Sequence, residues 1–144
     1  MIEQDTIKLL RECDSGVRMG ISSIDEVIDN AKSEEFKQKL INCKEKHEDL
    51  ECKIRTQLNK YCDNGKEPNA VAKGMSWLKT NAMLAINESD ATIADIMTDG
   101  CNMGVKSLSK YLNQYEAADE FSKDLAKKLI SIESEFAEDI REYL

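Results

Sequence analysis

At 144 residues, with one proline and six glycines, the chain is long enough to bury a sizeable core without disulfide or metal staples, and it reads as one domain over 1–144. Twenty basic against 28 acidic residues leave a net charge of -8, which repels phosphate backbones and anionic headgroups, so neither nucleic acid nor a membrane is an expected partner. No basic segment followed by an apolar run opens the chain and no stretch nears the ~20 apolar residues of a bilayer span, so the expected location is cytoplasmic, with the five cysteines reduced.

Leu, Ile, Ala, Glu and Lys dominate, which predicts helix almost throughout and leaves no place for strands. The first helix is expected over about Asp5 to Asn30, where Leu10, Cys13, Val17, Ile21, Ile24 and Ile28 recur at steps of three and four. A short turn through Ala31 and Lys32 leads to Ser33, a natural N-cap, and a link this short implies antiparallel neighbours. The second helix, about Glu34 to Cys62, aligns Phe36, Leu40, Cys43, Leu50, Ile54 and Leu58 on one face, which His47 interrupts. It is expected to stop at Asp63-Asn64-Gly65, with Gly65 taking the left-handed cap and Pro68 opening the next helix.

From Pro68 to Gln114 the pattern is helical with a break near Asn87-Glu88-Ser89-Asp90, giving a helix over 68–87 and another from Asp90 to Gln114; one kinked helix is the competing reading. The last helix is expected from about Ala117 to Tyr143, with Phe121, Leu125, Leu129, Ile132, Phe136 and Ile140 on its apolar face. Four helices of matching length plus an intervening segment of about 30 Å, at 1.5 Å per residue, predict an all-α, antiparallel four-helix bundle with a long helical crossover between helices two and three. Met75, Trp77, Leu78, Ala82 and Met83 form the apolar side of that crossover.

Such bundles with metal centres carry Glu-x-x-His pairs at mid-height on two helices. Here the position three before His47 is Lys44 and the position three after Glu133 is Phe136, so the motif is absent from both helices. His47, Asp14, Glu133 and Asp99 nevertheless stand at comparable heights, and a convergent imidazole with carboxylates suits iron, manganese or zinc. The plainer reading makes His47 a core histidine bonded to Asp14 or Glu133. Cys13, Cys43 and Cys101 lie on apolar faces as small hydrophobes, and Cys43 stands one turn from His47. Gly16 and Gly20, and Gly100 and Gly104, are pairs spaced by four that allow close packing or leave room for a ligand.

The stretch from Leu9-Leu10 to Gly16, the Leu40–Leu50 segment bearing His47, Trp77-Leu78-Lys79 and Ile132-Glu133 together resemble a bacterial ferritin-like family of unassigned function, distantly related to rubrerythrins and ferritins. The resemblance spans nearly the whole chain and implies the ferritin-like bundle. The departures at Lys44 and Phe136 set this chain apart from the di-iron chemistry of the wider superfamily. Three roles are expected. The first is a non-enzymatic bundle, with no cofactor, that forms a homodimer or binds a protein partner. The second is a degenerate iron or manganese site on Asp14, His47, Glu133 and Asp99. The third is a small-molecule pocket at the two glycine pairs.

Overall fold

The computed structural model describes residues 2–68 and 89–144. Among these residues there are four α-helices and no strand: α1 (Ile2–Val27), α2 (Glu34–Lys60), α3 (Asp90–Gln114) and α4 (Glu120–Asp139). Single 3-10 turns follow α1 at Ile28–Asn30 and α4 at Arg141–Tyr143. The helix expected over 68–87, with Trp77 on its apolar side, lies outside the described residues apart from Pro68. No described helix is long and apolar enough to cross a membrane.

Helix starts follow from side chains that accept the free N–H groups of a first turn. Ser33 caps α2 by accepting from the Phe36 amide, Ser89 caps α3 by accepting from Thr92, and Asp119 caps α4 by accepting from Ser122. Each capped helix also carries an acidic residue in its first turn, which the helix dipole favours. α4 starts three residues later than expected because α1 takes the preceding amides: Asp5 accepts from the Ala117 N–H at 3.1 Å and Thr6 Oγ1 from the Asp119 N–H at 2.9 Å.

The end of α2 departs from expectation. The left-handed residue that closes the helix is Cys62, at φ 54°, and not Gly65. The Cys62 amide donates to the Asn59 carbonyl and the Asp63 amide to the Leu58 carbonyl, the pair of bonds that defines a Schellman ending. Gly65 does adopt φ 83°, but in the loop that folds back over α1.

α1 packs against each of the other three helices, and α4 packs against α2 and α3. Their shared core includes Leu10, Val17, Phe36, Ile54, Ile93 and Leu129, all fully buried. Removing each such side chain from water contributes about 1.5–3 kcal/mol before the entropy of ordering is subtracted. Two large apolar residues fall outside this seam, of which Phe121 is the one expected on the apolar face of the last helix. Phe121 is 53% exposed because the inward face of α4 begins one position later, at buried Ser122 and Leu125. Met103 is 70% exposed, two positions after buried Cys101 and so turned about 200° around α3.

Side-chain clasps fix the helix ends. The Asp90 carboxylate accepts the amides of Lys32 (2.8 Å) and Ser33 (3.0 Å), which ties the start of α3 to the α1–α2 turn. Lys39 near the start of α2 donates to the Asp139 carbonyl and pairs with Glu142, while Tyr143 stacks on Phe36 with centroids 4.5 Å apart. Arg11 grips Asp63 through two nitrogens, holding the end of α2 to the first half of α1.

Candidate functional site

His47 projects from the middle of α2, where its seam position buries it: 2% of the residue is exposed. The Cys43 carbonyl, one turn back, lies 2.8 Å from Nδ1. A carbonyl only accepts, so Nδ1 carries a hydrogen, and the Cys43 thiol stands 3.6 Å from the same nitrogen. Nε2 then faces Glu133 of α4, which is 7% exposed, across 3.6 Å to Oε1. That span is too long for a hydrogen bond. Nε2 of His47 and Oε2 of Glu133 are both buried without a hydrogen-bond partner among the described residues.

A bare imidazole nitrogen and a carboxylate cannot face one another in a low-dielectric core without repulsion, so the pair holds a proton. Burial opposes the imidazolium, but the Cys43 thiol and carbonyl and the Glu133 carboxylate outweigh it and raise the His47 pKa to about 10. Burial also raises the Glu133 carboxyl, against the pull of His47.

Two glycines seat this pair. A Cβ on Gly20 of α1 would stand 2.7 Å from Cδ2 and Nε2 of the His47 ring, and a Cβ on Gly104 of α3 would run into the Glu133 carboxylate. The glycine spacing was legible in the sequence as a signal of close approach; that the approaching groups are the two polar side chains was not. Gly16 is in ordinary contact with Leu129, whereas a Cβ on Gly100 would meet none of the described residues within 4 Å.

A cavity of about 320 Å³ lies between α1 and α3. His47, Glu133 and the Cys43 and Cys101 thiols line it from below, and all four of the paired glycines border it. Its walls are largely apolar, with Met19, Met97 and Met103 among them, and Ser15, Ser23 and Ser107 add hydroxyls. Burial first, then the nearby Glu133 charge, pushes the Cys101 thiol far up, so it offers no thiolate.

The four sequence-nominated residues do not form one site. His47 and Glu133 meet, but Asp14 belongs to a separate cluster: its Oδ2 accepts the Lys66 amide at 3.0 Å and pairs with Arg18 at 3.2 Å, and its Oδ1 faces Arg55 at 3.9 Å. Six residues separate Asp14 from Gly20, which puts Asp14 on another side of α1 from the His47 contact. Asp99 is exposed on α3. Among the described residues no three His, Cys, Asp or Glu side chains gather in a way that holds a metal ion, so the ligand set anticipated for iron or manganese does not fit this geometry. No family model matches the chain, and neither a curated protein nor a solved structure gives a significant match to it.

Proposed function

We propose that the chain is a single-domain, antiparallel four-helix bundle of ferritin-like connectivity that acts by binding, not catalysis, and that its ligand is a small, mainly apolar molecule seated between α1 and α3. The clasps at the helix ends support the architecture. The short turn reverses α1 into α2, Lys39 joins the start of α2 to the end of α4, and Thr6 joins the start of α1 to the start of α4. α2 ends beside Arg11, whereas α3 begins at Asp90 beside the α1–α2 turn, at the far end of α1. A second helix ending at one end and a third beginning at the other is the connectivity of ferritin-like folds, which supports the resemblance to that family.

The observation that carries the binding role is a mainly apolar cavity of about 320 Å³ with two buried polar atoms at its base that have no hydrogen-bond partner among the described residues. Ligand sites combine concave apolar walls with a few convergent polar groups in this way. Exposed large apolar side chains offer less to a protein partner or a second copy: Ile2, Met103, Phe121 and Leu144 are spread over both ends and the middle of the helices.

Naphthalene is a suitable first probe, since the cavity is roughly twice the ~150 Å³ that accepts benzene. Titration into protein carrying 13C-methyl methionine is expected to shift the Met19 and Met97 signals saturably. Gly100→Leu, which places a side chain at the cavity border, should abolish the shift while the fold persists. Absence of any saturable shift in the wild-type protein up to the solubility limit of naphthalene would remove the binding role.

A further inference from the structure

The base of the cavity specifies the polar end of its ligand, an inference that rests on the binding role above. Two groups face each other there, each more than nine-tenths buried, each with an atom lacking a hydrogen-bond partner among the described residues: Nε2 of His47 and Oε2 of Glu133. Their closest approach, 3.6 Å between Nε2 and Oε1, is too wide for a direct bond. It is narrow enough that one oxygen, about 2.8 Å from each partner, spans it.

That oxygen must accept from the imidazole N–H and donate to the carboxylate, since a shared proton leaves the pair with one donor and one acceptor turned to the cavity. A hydroxyl does both through a single atom. An ether or ketone oxygen only accepts and would leave the carboxylate unpaired, while an ammonium only donates and would meet the imidazolium proton.

Net charge restricts the ligand further. A protonated His47 beside an ionised Glu133 is neutral in sum, so an ion brought to this depth would be buried without a counter-charge. Among the described residues of the cavity border the one further charged side chain is Glu12, which is already paired with Lys66 at 2.6 Å. The body of the ligand meets Met19, Met97, Met103 and Phe136, and thioethers pack favourably against aromatic rings. By comparison with benzene in its ~150 Å³ cavity, the volume suits about a dozen non-hydrogen atoms.

We infer that the cavity between α1 and α3 is a site for a neutral hydroxylated aromatic of about two rings, its hydroxyl bridging His47 Nε2 and the Glu133 carboxylate. The glycines at 20 and 104 then serve the ligand as well as the fold, because any side chain there would displace the imidazole or the carboxylate from the base.

The test compares four compounds of one shape by calorimetry on the full chain: 2-naphthol, naphthalene, 2-naphthoate and 2-naphthylmethylammonium. The expected order places 2-naphthol at least about ten-fold tighter than naphthalene, the gain of hydrogen bonds to charged groups, despite the greater cost of drying its hydroxyl. The two ions should not bind measurably. In the double variant His47→Leu/Glu133→Leu, naphthalene binding should persist and the advantage of naphthol should vanish.

Equal wild-type affinities for naphthol and naphthalene would overturn the hydroxyl assignment and leave the apolar binding role standing. Tightest binding of either ion would overturn the neutral class. An advantage of naphthol that survives in the double variant would move the recognising groups elsewhere. Failure of all four compounds to bind would defeat the binding role itself. The wild-type ratio reads out the proposal even if the double variant does not fold.

Discussion

Two buried carboxylates, each well inside its helix, meet opposite fates in this molecule. Asp14 on α1 is 0% exposed and faces the Arg18 and Arg55 guanidinium groups and the Lys66 amide, although its Oδ1 makes no hydrogen bond among the described residues. Glu133 on α4 is almost as buried, yet it faces one imidazole at 3.6 Å and an open cavity. Burial alone therefore does not mark a functional group. A carboxylate enclosed by cations and a backbone N–H fixes structure, here by holding the loop after α2 against α1. A buried oxygen without a hydrogen bond is common to both carboxylates, so what sets Glu133 apart is the cavity it lines.

The largest expected effect breaks that comparison at Asp14. Asp14→Ala removes the acceptor of the Lys66 amide and one of the two carboxylates that pair with Arg18, the other being Glu67. Losing a hydrogen bond to a charged group costs about 1.5–3 kcal/mol. Urea denaturation should show a loss of that order, whereas Glu133→Leu should cost less than about 1 kcal/mol, because the loss of the pair with His47 is offset by no longer burying a carboxylate. Equal losses at the two positions would erase the distinction.

A similar loss is expected at Gly65. Its φ of 83° suits glycine, and a Cβ there would collide with the Asp14 carboxylate, so Gly65→Ala should destabilise by about 2 kcal/mol. In an Asp14→Ala background the steric part of this loss should shrink, measured as a coupling of roughly 1 kcal/mol in a double-mutant cycle.

The sequence disclosed these two regions unevenly. Apolar residues at steps of three and four placed Asp14, His47 and Glu133 inside, since Leu10 and Val17, Cys43 and Leu50, and Leu129 and Phe136 flank them at helical intervals; all three are buried. Caps at Ser33 and Ser89 were legible because a side-chain oxygen three residues before a free amide is a local signal. What periodicity could not give is the partner across the interface. Asp14 accepts the amide of a loop residue 52 positions away, and its helix phase alone placed it beside His47. Cys62 as the left-handed residue was equally hidden, because glycine three positions later is the stronger composition signal. The cavity was anticipated only as one use of paired glycines, since volume depends on helix separation.

Solution pH sharpens the comparison from the other side. His47 is the only histidine in the chain, so its imidazole gives one NMR resonance to monitor. Its folded-state pKa, raised to about 10, exceeds the ~6.5 of an unfolded histidine. Folded protein thus binds the proton more tightly, and this stabilisation is complete below about pH 6.5 and lost as pH rises through about 10. The imidazole signal should not titrate between pH 5.5 and 8, and stability should fall by a few kcal/mol toward pH 10, relative to the double His47→Leu/Glu133→Leu variant. A midpoint near 6.5 would mean that His47 is free of the Glu133 charge.

The smallest effect belongs to Gly100, and it carries a sign opposite to the rest. Gly20 and Gly104 have groups pressed against them, but among the described residues a Cβ on Gly100 meets nothing within 4 Å. Glycine within a helix costs about 1 kcal/mol relative to alanine when no contact depends on it. Gly100→Ala should therefore raise stability by up to that amount, a gain of about 3–4 °C in melting temperature for a domain of this size. Gly104→Ala, which drives a methyl group into the Glu133 carboxylate, should lower it. Opposite signs at two positions one turn apart on α3 would show that the glycines divide by what faces them: one makes room for the polar pair, the other for the contents of the cavity.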